Sequence, residues 1–124
     1  MWVAMNDSFV SIVEDKDDVD VVVVRARVRE DLEAFFDAAP ISPSIIEATD
    51  SDYRFRVFAS KNDVAMTLFY RIKDIDYTNF KNSVDQSWRH RAYTKIWSIM
   101  YEVQVFLYGD EEEPWWISYK NYPR

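Results

Sequence analysis

Cysteine is absent from the 124-residue chain, and glycine and histidine occur once each, as Gly109 and His90. Without cysteine there is no disulfide, no thiolate nucleophile and no zinc–thiolate centre. A single histidine excludes a multi-histidine metal site. A single glycine excludes glycine-rich phosphate loops and the nucleophile elbow, since both need several glycines at fixed spacing. Most nucleotide-dependent and hydrolytic enzymes go with them, so the expectation is a non-catalytic protein that needs no cofactor and no metal. Long apolar runs are missing too: IWSIMYEVQVFLY is interrupted by Glu102 and Gln104, which argues against a membrane span. The opening MWVAMNDSFV shows no basic leader ahead of an apolar segment, and the expected location is cytoplasmic.

What is present is core material and acid. Hydrophobic residues make up 48% of the chain, aromatics 17% and charged residues 30%, with a net charge of −7. The length suits one domain. The negative balance suits solubility and argues against general nucleic-acid binding.

Period-two patterns predict two hairpins. SFVSIVE (8–14) and VDVVVVRARV (19–28) flank the polar link DKDD, and SIIEAT (44–49) and YRFRVFA (53–59) flank Asp50-Ser51-Asp52. A short helix opens at Arg29-Glu30-Asp31, with acid at its N-terminus and an apolar stripe of Leu32, Phe35 and Phe36. Ser60 or Asn62 caps a second helix, whose apolar positions are Val64, Ala65, Leu68, Phe69, Ile72 and Ile75. The strand–strand–helix unit thus occurs twice. Two copies predict an α+β domain: a four-stranded antiparallel sheet, connected as a ferredoxin-like fold with its last strand moved to the front. A long helix follows near 84–107, with Ser83 and Gln86 as a capping box and Val84, Trp88, Ala92, Ile96, Ile99, Val103 and Phe106 as its main apolar stripe. Residues 1–108 form the expected domain, and 109–124 an acidic, aromatic tail.

Three constellations are candidates for function. Arg25 and Arg27 alternate along one strand, and Arg54 and Arg56 along another, with Tyr53, Phe55 and Val57 expected to face the core. Four guanidiniums on one sheet face, with Phe58 among them, suit phosphate contacts and base stacking. Ion pairing with Glu47, Glu14 and the aspartates is the competing structural account of the same residues. On the long helix His90, Tyr93, Trp97 and Tyr101 recur at three- and four-residue spacing. A histidine beside tyrosines can act as a general base, but no second catalytic partner accompanies it, and the usual identity of such a stripe is the packed edge of a helix against a sheet. The third feature is acid: Asp15, Asp17, Asp18 and Asp20 at the first turn, and Asp110, Glu111, Glu112 and Glu113 before the tail. Neither run has calcium-loop spacing. Carboxylates so placed can also imitate a phosphate backbone towards a nucleic-acid-binding partner.

The blocks FVSIV (9–13), RAR (25–27), DYRFR (52–56), IDYTNFK (75–81) and RHRAY with IWSIMY (89–101), after an initial MW, resemble a family of small bacterial and phage proteins with no activity assigned to it. The resemblance covers roughly residues 1–104 and implies no cofactor or catalytic residue; the tail after Gly109 departs from it. A mobile-element family, joined to small size, acidity and the lack of enzyme motifs, suggests by analogy a protein-binding inhibitor of host defence machinery such as an anti-CRISPR protein. The expected partner is another protein, for instance a host complex that itself binds nucleic acid, with a homodimer as a further form of association and no membrane. Trp115, Trp116, Tyr119 and Tyr122, with Asp110 to Glu113, are the expected partner-binding residues, because tryptophan and tyrosine dominate interface energetics. A nucleic-acid or nucleotide-binding module using Arg25, Arg27, Arg54, Arg56 and Lys81 is the alternative. An enzyme centred on His90 and Tyr93 comes third.

Overall fold

A computed structural model describes residues 1–39, 41–109 and Trp116. The chain divides into two compact units between Ser83 and Val84. The first carries β1 (Trp2–Ala4), β2 (Phe9–Glu14), β3 (Val21–Ala26), α1 (Arg29–Phe36), β4 (Ile46–Glu47), β5 (Phe55–Ser60) and α2 (Lys61–Lys73); the second carries α3 (Ser87–Tyr108). The architecture is α+β, with one sheet in the order β1-β2-β3-β5-β4 and every neighbouring pair antiparallel.

The sheet has five strands where four are expected. The addition is β1, whose three residues are too few to show alternation. Backbone pairing holds it instead: the Met1 amine donates to Ile12 O at 2.9 Å, and Ile12 N–H donates to Met1 O at 2.8 Å. At the other edge β4 shrinks to two residues, and its turn closes through Ala48 N–H donating to Arg54 O at 2.7 Å.

The core lies on one face of the sheet. Val10, Val24, Ala26 and Val57 are almost wholly buried there, in the alternation that the sequence sets out. Against them α1 packs Leu32, Phe35 and Phe36, the two rings edge to face at 4.8 Å. Burying each such side chain contributes about 1.5–3 kcal/mol. The Asp31 carboxylate, itself buried, accepts from Phe9 N–H at 2.9 Å and so ties the start of α1 to the start of β2.

On α2, Ser60 is the cap: its hydroxyl accepts from Asp63 N–H at 3.0 Å. Lys61 pairs with Glu14 at 2.9 Å, fastening the helix start to the end of β2. The buried stripe is narrower than the apolar pattern. Val64, Thr67 and Leu68 face the core, whereas Ala65, Phe69, Ile72 and Ile75 are exposed. A helix resting on a sheet turns only about one residue in three or four towards it, and α2 carries more apolar residues than that contact accepts.

In the second unit the expected capping box is not formed. Ser83 belongs to a preceding 3₁₀ turn (Lys81–Ser83) and donates to Phe80 O at 2.5 Å; Gln86 is the N-cap residue, but its side chain accepts from Arg89 Nε at 2.7 Å. The single glycine ends α3. A Cβ at Gly109 would stand 2.5 Å from the Val105 carbonyl oxygen, which only glycine avoids without a backbone shift.

Candidate binding surfaces

The strand register puts Trp2, Ser11, Arg25, Arg56 and Ile46 in a single row across all five strands, on the face opposite α1 and α2. Arg25 and Arg56 are therefore direct cross-strand neighbours. The Arg25 guanidinium donates from Nη2 to Ser11 Oγ at 2.8 Å, and that of Arg56 to Ser51 Oγ at 2.5 Å. Neither enters an ion pair among the described residues, and the Nε of each is buried without a hydrogen-bond partner.

The other two arginines of the set are compensated. Arg27 pairs with Asp52 at 3.0 Å, a contact that holds its guanidinium above the usual arginine range, and Arg54 pairs with Glu47 at 2.7 Å. Among the described residues the ion-pairing account therefore applies to Arg27 and Arg54, and not to Arg25 and Arg56. Lys81 lies in the 3₁₀ turn, outside the sheet. Tyr53 departs from its expected core-facing place: the guanidiniums of Arg25 and Arg27 lie over its ring, 4.6 and 4.3 Å from the centroid. The reason is local. β5 begins only at Phe55, so Tyr53 sits in the preceding bend, where strand alternation does not apply. One step along the strands, Val13, Val23 and Phe58 form a second, apolar row, with Phe58 47% exposed.

The aromatic stripe of α3 separates into different environments. Tyr93 is buried and its hydroxyl accepts from Arg89 Nη1 at 3.4 Å, while His90 is exposed. Trp97 and Tyr101 stack in parallel at 5.5 Å, both more than half exposed. The expected apolar stripe is also recast: Trp88, Ala92, Ile96 and Ile99 are exposed, and within α3 only Arg89, Tyr93 and Phe106 are buried. Periodicity identifies an apolar face; it does not say that anything covers it.

Of the tail beyond Gly109, Trp116 alone falls among the described residues, and its indole Nε1 donates to Glu102 Oε2 at 2.6 Å. Trp115, Tyr119, Tyr122 and the run Asp110 to Glu113 lie outside the described residues. At the first turn the aspartates serve the backbone: Asp18 Oδ1 accepts from Asp20 N–H at 2.9 Å. Among the described residues no cluster of three or more acidic or histidine side chains could hold a metal ion, and no helix is long and apolar enough to cross a membrane.

A groove of about 290 Å³ runs between β1 and the end of α2, lined by Val3, Met5, Leu68, Ile72, Tyr77 and Arg71. Its cation is already neutralised, because Arg71 grips Asp7 through two nitrogens. Partial burial pushes the Asp7 carboxyl up, but the hydrogen bond and charge of Arg71, with the Ser8 hydroxyl, carry it below the ordinary aspartate value.

The chain matches no known protein family, no curated protein and no solved structure.

Proposed function

We propose that the protein is a non-catalytic binding module that recognises another protein through α3. One observation carries this reading. Ile96, Met100, Val103 and Leu107 recur at alternating four- and three-residue steps, the spacing by which one helix packs along another. Of these, Ile96, Met100 and Leu107 are each more than 40% exposed, and so are Trp97, Ile99 and Tyr101, which flank them. Contiguous exposed apolar surface of this kind marks interaction sites, and tryptophan, tyrosine and methionine are enriched in them. The partner is one that presents an apolar helix or groove.

A host defence complex, of the kind that mobile elements inhibit, is the class of target that the resemblance and the acidic composition support. The acidic and aromatic residues 110–122, which follow α3 in sequence, are candidate contacts for the same partner. We also read β2-β3-α1-β4-β5-α2, in spatial order β2-β3-β5-β4, as a ferredoxin-like connectivity with its last strand moved to the front and β1 added at the edge. The test is affinity capture from a host lysate with the wild-type chain and with Ile96→Asp/Met100→Asp. A partner retained by the wild type and lost by the variant, with unfolding unchanged, supports the reading. Equal capture by both would remove α3 as the site, and light scattering of the purified protein shows whether the partner is a second copy.

A further inference from the structure

The sheet carries a second feature that α3 does not explain. Two like charges placed directly opposite on adjacent antiparallel strands repel each other. Arg25 and Arg56 are so placed, and among the described residues no carboxylate pairs with either. Their immediate neighbours are neutral: the Ser11 and Ser51 hydroxyls, the Tyr53 carbonyl and, for Arg25, the Tyr53 ring. Both Nε atoms are shut off from solvent without a partner, so each charge has given up hydration on one side and received no counter-charge in return.

The surroundings make the omission specific. Arg27 and Arg54, at the same end of the sheet, each have a carboxylate, whereas among the described residues the central pair has none. An anion seated between Arg25 and Arg56 would relieve their repulsion and accept hydrogen bonds from two planar, forked donors, the geometry by which guanidinium binds phosphate and which a lysine ammonium does not offer.

The class of ligand follows from the next row. Phe58 is two residues from Arg56 on the same strand and face, a distance of about 6.6 Å at two residues of strand rise. It is 47% exposed, beside Val13 and Val23. A cation row beside an exposed aromatic is the arrangement by which sheets hold a phosphate and stack the adjoining base. The net charge of −7 does not forbid this, because the local field governs docking.

We propose that the cross-strand pair Arg25–Arg56 is a phosphate-binding site on the sheet face opposite α1 and α2, with Phe58 as the stacking surface for the base of a single-stranded nucleic acid. The site lies wholly in the first unit and does not depend on the reading of α3. The decisive measurement is fluorescence anisotropy with a short labelled oligothymidylate, at low and at physiological salt, on the full chain. Binding should be salt-sensitive and should weaken about tenfold in Arg25→Gln and in Arg56→Gln, each with a shallower salt slope. Arg27→Gln, whose charge is already neutralised, is the control and should change binding by less than about twofold. Arg56→Lys keeps the charge but not the fork, and should fall between wild type and Arg56→Gln. Thymidine monophosphate and inorganic phosphate are the competitors. Stronger competition by the nucleotide, lost in Phe58→Ala, supports base stacking; equal competition by inorganic phosphate keeps the anion site and assigns it to free phosphate. No binding at low salt, or binding indifferent to both arginine substitutions, overturns the proposal.

Discussion

α1 and α3 are both helices rich in aromatic residues, and they use them in opposite ways. In its eight residues α1 buries Leu32, Phe35 and Phe36 to 2% exposure or less. In its 22 residues α3 leaves Trp88, Trp97 and Tyr101 at least half exposed. The same three- and four-residue spacing marks the apolar residues of both. What differs is the neighbour: α1 lies on the core face of the sheet between β2 and β5, where alternating valines receive it. Aromatic content therefore reports stability in one helix and available surface in the other, and substitutions can separate the two roles.

The largest effect should come from the core. Phe35→Ala removes a fully buried ring and should destabilise the protein by about 3–5 kcal/mol in urea unfolding. A loss below about 1 kcal/mol would mean that α1 is no better packed than α3 and would end the contrast. Next is Asp31→Ala, which strands the Phe9 N–H and should cost about 1–3 kcal/mol in the same assay. Full stability in that variant would show that α1 is held by apolar contact alone.

A smaller effect should depend on pH. The Asp7 carboxyl has a lowered pKa in the folded protein, so its pairing with Arg71 stabilises fully above the ordinary aspartate value. That contribution is lost as pH falls through the lowered value, below about pH 4. Asp7→Asn should therefore lower the melting temperature at neutral pH and converge on wild type below about pH 4, so that the acid limb of a thermal-melt series becomes flatter. An unaltered acid limb would assign the pH dependence to other carboxylates. The smallest stability effect belongs to α3: Trp97→Ser with Tyr101→Ser should stay within about 0.5 kcal/mol of wild type, because exposed side chains lose little on truncation. A loss comparable to Phe35→Ala would place those rings in a packed core and remove them from the proposed interface.

The residues that announce themselves in the sequence are those whose structure is local. The β2–β3 hairpin follows from alternation and an aspartate-rich turn, the start of α2 from a serine cap, and the end of α3 from Gly109. The placement of Arg25 and Arg56 away from the helices follows from the same alternation, since the interleaved valines and alanine claim the core. What the sequence hides depends on partners distant along the chain. β1 exists because β2 offers it an edge; Asp31 is buried because Phe9 needs an acceptor; Tyr53 meets Arg25 and Arg27 because the bend before β5 turns it there. The division of the four arginines into a compensated pair and an uncompensated one is equally invisible, because nothing in the spacing says which carboxylate arrives at which guanidinium.

The two outermost strands carry a consequence for how this molecule can be recognised. β1 has three residues and β4 has two, so neither border of the sheet offers more than a residue or two of unpaired backbone in extended form. Strand addition, in which an incoming peptide lengthens the sheet, needs a longer ladder than that. Edge-to-edge growth between copies is discouraged for the same reason, although the interior strands are rich in valine and would otherwise invite it. Any ligand or partner of this fold must be read by side chains projecting from its helices and sheet faces, because its borders give main-chain hydrogen bonding almost nothing to hold.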